Sequence, residues 1–238
     1  MTAKNIVAFI PARAGSKGLK RKNLRILNGV SLIGRAVLAA KSISAISYVV
    51  VTTDCKEIAD EARNYGAHVP FIRAPELSGD FATTETTLSD ALQRFEKIKN
   101  FTVDLCVYFS PSEGFLNPAC VERGISLLSQ DQKIDSYFSC HPTQKNYWTL
   151  EGQSGKRIYE WMSIYESRQT RKSIYREDTG RGMVSQARIW HNGRRIGDNV
   201  IFEIDNDVRA NLDIHTQLDL KIANLVINEL GDHSYNPR

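Results

Sequence analysis

The sequence lacks the long apolar runs and closely spaced cysteines that mark membrane or secreted proteins. It contains no stretch of about 18 consecutive apolar residues, and its N-terminal residues have the pattern of a strand rather than of a signal peptide. The four cysteines lie far apart without C-x-x-C spacing, so we expect reduced thiols and no zinc site. These absences predict a cytoplasmic protein without a membrane partner.

A strong excess of positive charge is also missing. The formal net charge is only +4 and the cations form no long basic stripe, so a nucleic-acid partner is not expected. Hydrophobic residues make up 42% and charged residues 24% of the chain, which is ordinary for a globular protein. We expect a single domain over residues 1–238, without internal repeats or low-complexity tracts.

Apolar, β-branched segments alternate with segments of helical periodicity along most of the chain. Buried strands are predicted at 6–10, 48–52, 105–109, 136–139 and 200–204. Helix starts are predicted at Ser31, Asp54, Asn117 and Thr216. This order predicts an α/β fold with a mostly parallel sheet flanked by helices.

The region between residues 141 and 187 breaks this alternation. It is polar and aromatic and has no clean periodicity. We interpret it as an inserted subdomain, because exposed aromatic side chains suit contact with a partner chain. A loop-rich cover over an active site is the alternative interpretation.

The loop that follows the first predicted strand carries the clearest chemical signal. Its two glycines, Gly15 and Gly18, let backbone N–H groups approach a ligand closely. The same loop contains five cations: Arg13, Lys17, Lys20, Arg21 and Lys22. Open α/β sheets bind ligands at the carboxyl ends of their strands, so the loop is predicted to bind a polyphosphate. A solvated basic turn is the alternative, and it is the preferred interpretation for Lys20 and Arg21.

This loop matches neither of the two common phosphate-binding motifs. The spacing of its glycines is not that of G-x-G-x-x-G, and no Gly-Lys-Ser or Gly-Lys-Thr triplet follows. It resembles instead the opening loop of the acylneuraminate cytidylyltransferases, which couple CTP to sialic acid or related 3-deoxy-2-ulosonic acids. Other segments resemble this family in the same order: 28–34, 51–54, 57–62, 73–80 and 213–220.

The resemblance implies a Rossmann-like nucleotidyltransferase fold and a homodimer built by an inserted dimerisation subdomain at 141–187. It also implies the reaction, in which the anomeric hydroxyl of an acidic sugar attacks the α-phosphate of CTP and expels pyrophosphate. The implied cofactor is Mg²⁺, with Mn²⁺ as an alternative.

The resemblance further assigns residues to the nucleotide. The matching positions are Ala12, Arg13, Gly15, Ser16, Lys17, Lys22, Asn23, Arg73, Ala82 and Thr84. Lys22 and then Arg13 are the candidates for catalytic contacts, since transfer to a hydroxyl needs neutralisation of the charge that develops on pyrophosphate. Arg73, Ala82 and Thr84 match positions that line the cytidine site.

A metal site is implied near the C-terminus. Asp213 matches a family aspartate that helps to hold Mg²⁺, a cation that prefers oxygen ligands. Where the family usually has a second aspartate, this chain has His215, which alternation places on the same side as Asp213. Imidazole suits Mn²⁺ better than Mg²⁺. Either Asp213 holds the metal alone with waters, or the metal preference differs, or catalysis is impaired. Asp54 is predicted to be a helix cap outside the site.

The departures from the family concentrate on the sugar side. Residues 110–116 read Ser-Pro-Ser-Glu-Gly-Phe-Leu, where the family typically has Gln-Pro-Thr-Ser-Pro-Leu-Arg. The predicted acceptor-binding residues are Ser110, Glu113, Arg168 and Gln169, with Lys145 and Arg171 as further candidates for the acceptor carboxylate. We therefore expect an acceptor other than plain N-acetylneuraminate, with Glu113 facing an amino or additional hydroxyl group.

Two alternative functions stay open. One is a related CTP-dependent enzyme that acts on a Kdo-like sugar or a phosphonate. The other is a nucleotide-binding paralogue with lost or altered catalysis, which His215 and the changed 110–116 segment favour.

Overall fold

The computed structural model of the chain describes residues 4–79, 81–167 and 169–235. Its α-helices are α1 (Leu32–Lys41), α2 (Lys56–Asn64), α3 (Thr84–Lys99), α4 (Pro118–Gln130), α5 (Ala187–His191) and α6 (Gln217–Leu230). Its first strands are β1 (Ile6–Pro11), β2 (Ile26–Leu27), β3 (Val30–Ser31), β4 (Tyr48–Thr52), β5 (Leu105–Tyr108) and β6 (Ser136–Thr143). The remaining strands are β7 (Trp148–Glu151), β8 (Ser154–Arg157), β9 (Ile174–Glu177), β10 (Met183–Gln186) and β11 (Val200–Ile204).

Within these described ranges, seven strands form one central sheet. The strand order is β11-β6-β10-β5-β1-β4, and β9 pairs with the C-terminal half of β6. Strand β1 is parallel to both β4 and β5, and β11 is parallel to β6. Strand β10 runs antiparallel between β5 and β6. The predicted α/β class is confirmed, and β10 and β9 add antiparallel pairing to the parallel part.

Strand β1 is buried on both faces of the sheet. Ile6, Ala8 and Ile10 pack with α1, α2 and α4 on one face. Val7 and Phe9 pack with α3 and α5 on the other. A strand covered on both faces reads as a continuous apolar run, which is why this strand was predictable from its sequence.

Side-chain caps fix the start of several helices. Ser31 accepts a hydrogen bond from the backbone of α1, and Asn117 does the same for α4. Thr216 forms a capping box with Asp219 at the start of α6. These three predicted starts are confirmed, because capping residues satisfy donors that the first helical turn leaves unpaired. No helix in the described ranges combines the length and apolarity of a membrane-spanning segment.

Only part of the region predicted as an insertion lies outside the central sheet. Strands β9 and β10 both belong to that sheet, whereas β7 and β8 form a separate hairpin. The described residues outside the sheet strands are therefore 144–167 and 169–173, together with the connection 178–182, which is less than the predicted 141–187. Strand β10 escaped prediction because it has four residues and two of them, Ser185 and Gln186, are polar despite being buried.

A small apolar cluster ties α6 to three connecting segments. It brings together Leu19 from the loop after β1, Phe115 from the segment after β5 and Ile214 from the segment before α6. Leu220 of α6 packs among them. Packing of these apolar side chains therefore holds the segments that carry the predicted site residues in one place.

Candidate functional site

A cavity of about 460 Å³ lies at the carboxyl ends of β1 and β5. Because these strands are parallel neighbours, the loop after β1 and residues 110–112 after β5 meet at the same edge of the sheet. Residues around the start of α3 form a further part of the wall: Ala82, Thr83, Thr84 and Thr87. The cavity therefore lies where an open α/β sheet usually binds its ligand.

Most of the predicted nucleotide-binding residues line this cavity. They are Arg13, Ser16, Lys17, Lys22, Asn23, Arg73, Ala82 and Thr84, and Ser110 and His215 join them. Ala12 and Gly15 are not among the lining residues. Ala12 is buried, and its N–H donates to the carbonyl of Thr52 at 3.0 Å, so it anchors the start of the loop to β4. Gly15 is exposed in the loop.

The glycine that the packing of this loop requires is Gly18. A β-carbon at Gly18 would lie 2.6 Å from the carbonyl oxygen of His215, so a side chain would push the two segments apart. A β-carbon at Gly15 would meet no atom within 4 Å. The close approach between the loop and the segment before α6 therefore depends on Gly18.

Backbone carbonyls and polar side chains fix the cations of the loop. Nη1 of Arg13 donates to the carbonyl of Gly79 at 3.2 Å, and Nδ2 of the buried Asn23 donates to the carbonyl of Arg13 at 2.9 Å. Arg21 turns away to form an ion pair of 2.5 Å with Glu57 on α2. Arg13 therefore lies at the cavity. Arg21 lies on the exposed surface, as predicted, where it pairs with Glu57.

Lys22 lines the cavity in a largely enclosed position. Burial lowers the pKa of its ammonium group, and the nearby carboxylate of Asp213 opposes this effect. Arg13 is close enough to lower the pKa of Lys22 further. Two cations thus face the same space, an arrangement that favours an anion with several charges.

Asp213 and His215 lie side by side, as the alternation of an extended segment predicts. Nε2 of His215 is 2.6 Å from Oδ2 of Asp213. The backbone N–H groups of His215 and Thr216 both donate to the carboxylate of Asp219. In the described part of the chain, no three His, Cys, Asp or Glu side chains come close enough to form a metal cluster.

Glu113 faces Asp213 across a short antiparallel bridge. Burial, together with the neighbouring carboxylates of Asp213 and Asp178, raises the pKa of Glu113 to about 8. A carboxyl group with this pKa is mostly protonated at neutral pH, so it can donate a hydrogen bond. Asp213 is then left as the charged partner of Lys22.

The structure corrects the role predicted for Asp54. Helix α2 begins at Lys56 after Cys55, and Asp54 makes no cap. Instead, Oδ1 of Asp54 accepts a hydrogen bond of 2.8 Å from the N–H of Ala14 and lies 3.9 Å from Nη2 of Arg73. Sequence pattern alone favoured a cap, because an aspartate before a helical segment usually is one.

The other predicted acceptor residues lie apart from this cavity. Gln169 is in an exposed turn, and Arg168 falls outside the described residues. Lys145 and Arg171 line a second cavity of about 1020 Å³, together with Arg176 of β9. Glu113 is not among the lining residues of either cavity, but Arg176 is near enough to lower its pKa.

Several lining residues were not predicted. They include Thr83 at the start of α3, Tyr108 at the end of β5, and Ser112. Thr83 lies between two predicted residues, so its position was a usable signal. In the sequence, Tyr108 is one more apolar residue of a buried strand. Only the register between β5 and β1 shows that it lies at the end of the strand.

Comparison with known proteins agrees with this geometry. A sequence profile described as Cytidylyltransferase matches residues 7–222. Post-translational flagellin modification protein B of Campylobacter coli is 29% identical over 226 residues, which cover 94% of this chain and 95% of that protein. The CMP-N,N'-diacetyllegionaminic acid synthase of Legionella pneumophila is 38% identical over 122 residues, which cover 51% of this chain and 52% of that protein.

Solved structures support the fold. A CMP:2-keto-3-deoxy-manno-octonic acid synthetase in complex with CTP superimposes with a TM-score of 0.68 at 16% identity. The match covers 95% of this chain and 100% of that one. At this identity the likeness establishes a shared Rossmann-like architecture.

The raised pKa of Glu113 predicts a pH-dependent cost to stability. The unfolded chain releases this proton near its ordinary pKa, whereas the folded chain keeps it to about pH 8. Stability contributed by the protonated group is therefore lost as the pH rises from about 5 to 8. Relative to wild type, Glu113→Gln should gain thermal stability steadily over this interval, measured as Tm against pH.

Glu122→Gln is the matched control, because Glu122 is an exposed glutamate on α4. Its Tm should follow the wild-type profile at every pH. A Tm difference between wild type and Glu113→Gln that stays constant from pH 5 to 8 would contradict the assignment.

Proposed function

The chain belongs to the cytidylyltransferase family, and we propose that it transfers CMP from CTP to a sialic-acid-like 3-deoxy-2-ulosonic acid. In this reaction the anomeric hydroxyl of the acceptor attacks the α-phosphate of CTP and pyrophosphate leaves. The observation that carries the proposal is the cavity at the carboxyl ends of β1 and β5, lined by Arg13, Lys17 and Lys22 on one segment and by Arg73 on another.

This cavity suits the reaction because phosphoryl transfer depends mainly on alignment and charge neutralisation. The triphosphate would lie along the loop after β1, where Arg13 and Lys22 meet the charge that grows on the leaving pyrophosphate. The cytidine would lie toward Arg73, Ala82 and Thr84. Ser110 and Glu113 then flank the side from which the acceptor arrives.

The acceptor is proposed to be a sugar acid with extra polar groups. The relative from Legionella pneumophila is named for N,N'-diacetyllegionaminic acid, and another, from Campylobacter jejuni, for pseudaminic acid. A protonated Glu113 fits a carbonyl or hydroxyl oxygen of such an acceptor better than it fits an ammonium group. The cytoplasmic location expected from the sequence belongs to this proposal.

Pyrophosphate release from CTP tests the proposal directly. The assay compares N-acetylneuraminate, N,N'-diacetyllegionaminic acid, pseudaminic acid and a Kdo-like sugar, each with Mg²⁺ and with Mn²⁺. Release with a ulosonic acid supports the proposal, and the preferred acid identifies the acceptor class. Thermal stabilisation by CTP without release from any acceptor would favour a nucleotide-binding paralogue instead.

Neutralising the cavity cation Lys22 should abolish most of the activity. We expect Lys22→Gln to lower kcat/KM for CTP about 100-fold or more, because removal of one preorganised transition-state donor has effects of this size. Steady-state pyrophosphate release measures this change. Lys20→Gln is the control, since Lys20 is exposed in the same loop. Equal losses in the two variants would show that the effect is only one of overall charge.

A divalent cation is proposed as the cofactor, with Asp213 as its protein ligand. One carboxylate fits Mg²⁺, which commonly binds through one or two carboxylates together with substrate phosphates and water. When bound, the metal would offset the negative charge of the triphosphate. His215 pairs with the carboxylate of Asp213, so its imidazole is placed to orient that ligand, or to ligate Mn²⁺ in its own right.

Replacing His215 by aspartate separates these roles. If the histidine merely stands in for a carboxylate, His215→Asp should raise kcat with Mg²⁺ several-fold, since a second oxygen ligand suits this metal. The same variant should gain little with Mn²⁺. Unchanged or lower turnover with Mg²⁺ would show that His215 belongs to the native mechanism of this enzyme.

A homodimer is proposed from the apolar side chains that the chain leaves exposed. The β7–β8 hairpin exposes 50% of Trp148 and 75% of Leu150. Tyr165, in the same part of the chain, is 70% exposed, and Phe202 on the edge strand β11 is 41% exposed. Large exposed apolar side chains of this kind mark interaction surfaces, and a second copy of the chain is the proposed occupant.

Leu150→Glu should weaken the dimer, because a carboxylate would be buried in an apolar contact. Light scattering at micromolar concentrations should give about twice the 26.8 kDa chain mass for wild type and a lower average for the variant. Ile98→Glu is the control, because Ile98 is a similarly exposed apolar residue on α3. A wild-type chain that stays monomeric at this concentration would contradict the proposal.

A further inference from the structure

We propose that Asp54 is a positioning residue that couples the two halves of the nucleotide site. Through Ala14 it holds the loop after β1 (residues 12–23, the phosphate loop), and it faces Arg73, the arginine on the proposed cytidine side. This inference rests on the proposed function and adds to it a residue that is itself outside the cavity lining. Asp54 acts through its neighbours rather than on the reacting atoms.

The first contact fixes the backbone of the phosphate loop. Oδ1 of Asp54 accepts the N–H of Ala14 at 2.8 Å, immediately before Gly15. A charge-assisted bond of this kind is stronger than one between neutral groups. It holds the loop beside the end of β4 at the point where its glycine-containing turn begins.

The second contact concerns Arg73, which is only 5% exposed. Its Nε donates to Ser78 at 3.1 Å, whereas its Nη2 finds no hydrogen-bond acceptor in the described part of the chain. Asp54 is 3.9 Å from this Nη2, too far for a hydrogen bond but close enough for electrostatic attraction. Because this Nη2 atom is itself enclosed, the carboxylate of Asp54 offsets a buried positive charge.

The two contacts depend on the end of one strand. Asp54 comes two residues after Thr52, the last residue of β4, and β4 pairs with β1, which leads directly into the phosphate loop. The N–H of Arg73 donates to the carbonyl of Thr53 at 2.8 Å. A displacement of Asp54 would therefore affect both the triphosphate side and the cytidine side.

Two substitutions separate the contacts. Asp54→Asn keeps an oxygen for the N–H of Ala14 but removes the charge beside Arg73, whereas Asp54→Ala removes both. Isothermal titration measures Kd for pyrophosphate, which probes the loop alone, and for CTP, which probes both halves. We expect Asp54→Ala to weaken both ligands about 10-fold, the size of one lost hydrogen bond. Asp54→Asn should bind pyrophosphate at least as tightly as wild type but CTP about 10-fold more weakly.

Glu57→Gln is the matched control, because Glu57 is a second carboxylate that reaches the same loop, through Arg21, on the surface. It should bind both ligands like wild type. Wild-type affinities in Asp54→Ala, or identical behaviour of the two Asp54 variants toward both ligands, would overturn the inference. If Asp54→Ala does not fold, Asp54→Asn alone decides by its pyrophosphate and CTP affinities. Failure of the wild-type chain to bind CTP would instead refute the proposed function.

Discussion

Parallel pairing of β1 with its neighbours β4 and β5 is the constraint on which the candidate site depends. Because the three strands run in the same direction, the segments that follow them all begin at the same edge of the sheet. The phosphate loop follows β1, Asp54 follows β4 and Ser110 follows β5. Because β1 is buried on both faces, its register is set by how its side chains fit the two cores rather than by an apolar–polar alternation.

A second constraint comes from the C-terminal part of the chain. Helix α6 packs through Leu220 on Leu19 and Ile214, and Gly18 allows the phosphate loop to approach the carbonyl of His215 closely. Residues almost 200 positions apart in sequence thereby share one cavity. Positive charge is in excess in this region, because Lys22 and Arg13 lie near one carboxylate, Asp213, while burial keeps Glu113 mostly protonated.

The residues proposed for the acceptor are divided between two cavities. Ser110 lines the first, whereas Lys145 and Arg171 line the second, larger cavity. Exposed apolar residues of the 144–173 segment lie in the same part of the chain. If a second copy covers this surface, as we propose, the acceptor site would be completed by assembly rather than by the single chain.

The sequence by itself determined the fold class, the main strands and three of the helix caps, because these depend on local periodicity and on hydrogen bonds within a few residues. It also indicated the phosphate loop, since clustered cations and glycines are local features. Only the tertiary structure decided that β10 enters the central sheet, that Asp54 bonds to Ala14 rather than capping α2, and that Glu113 faces Asp213. Each of these depends on pairing between distant segments, where burial and neighbouring charge, rather than residue type, set the role of a side chain.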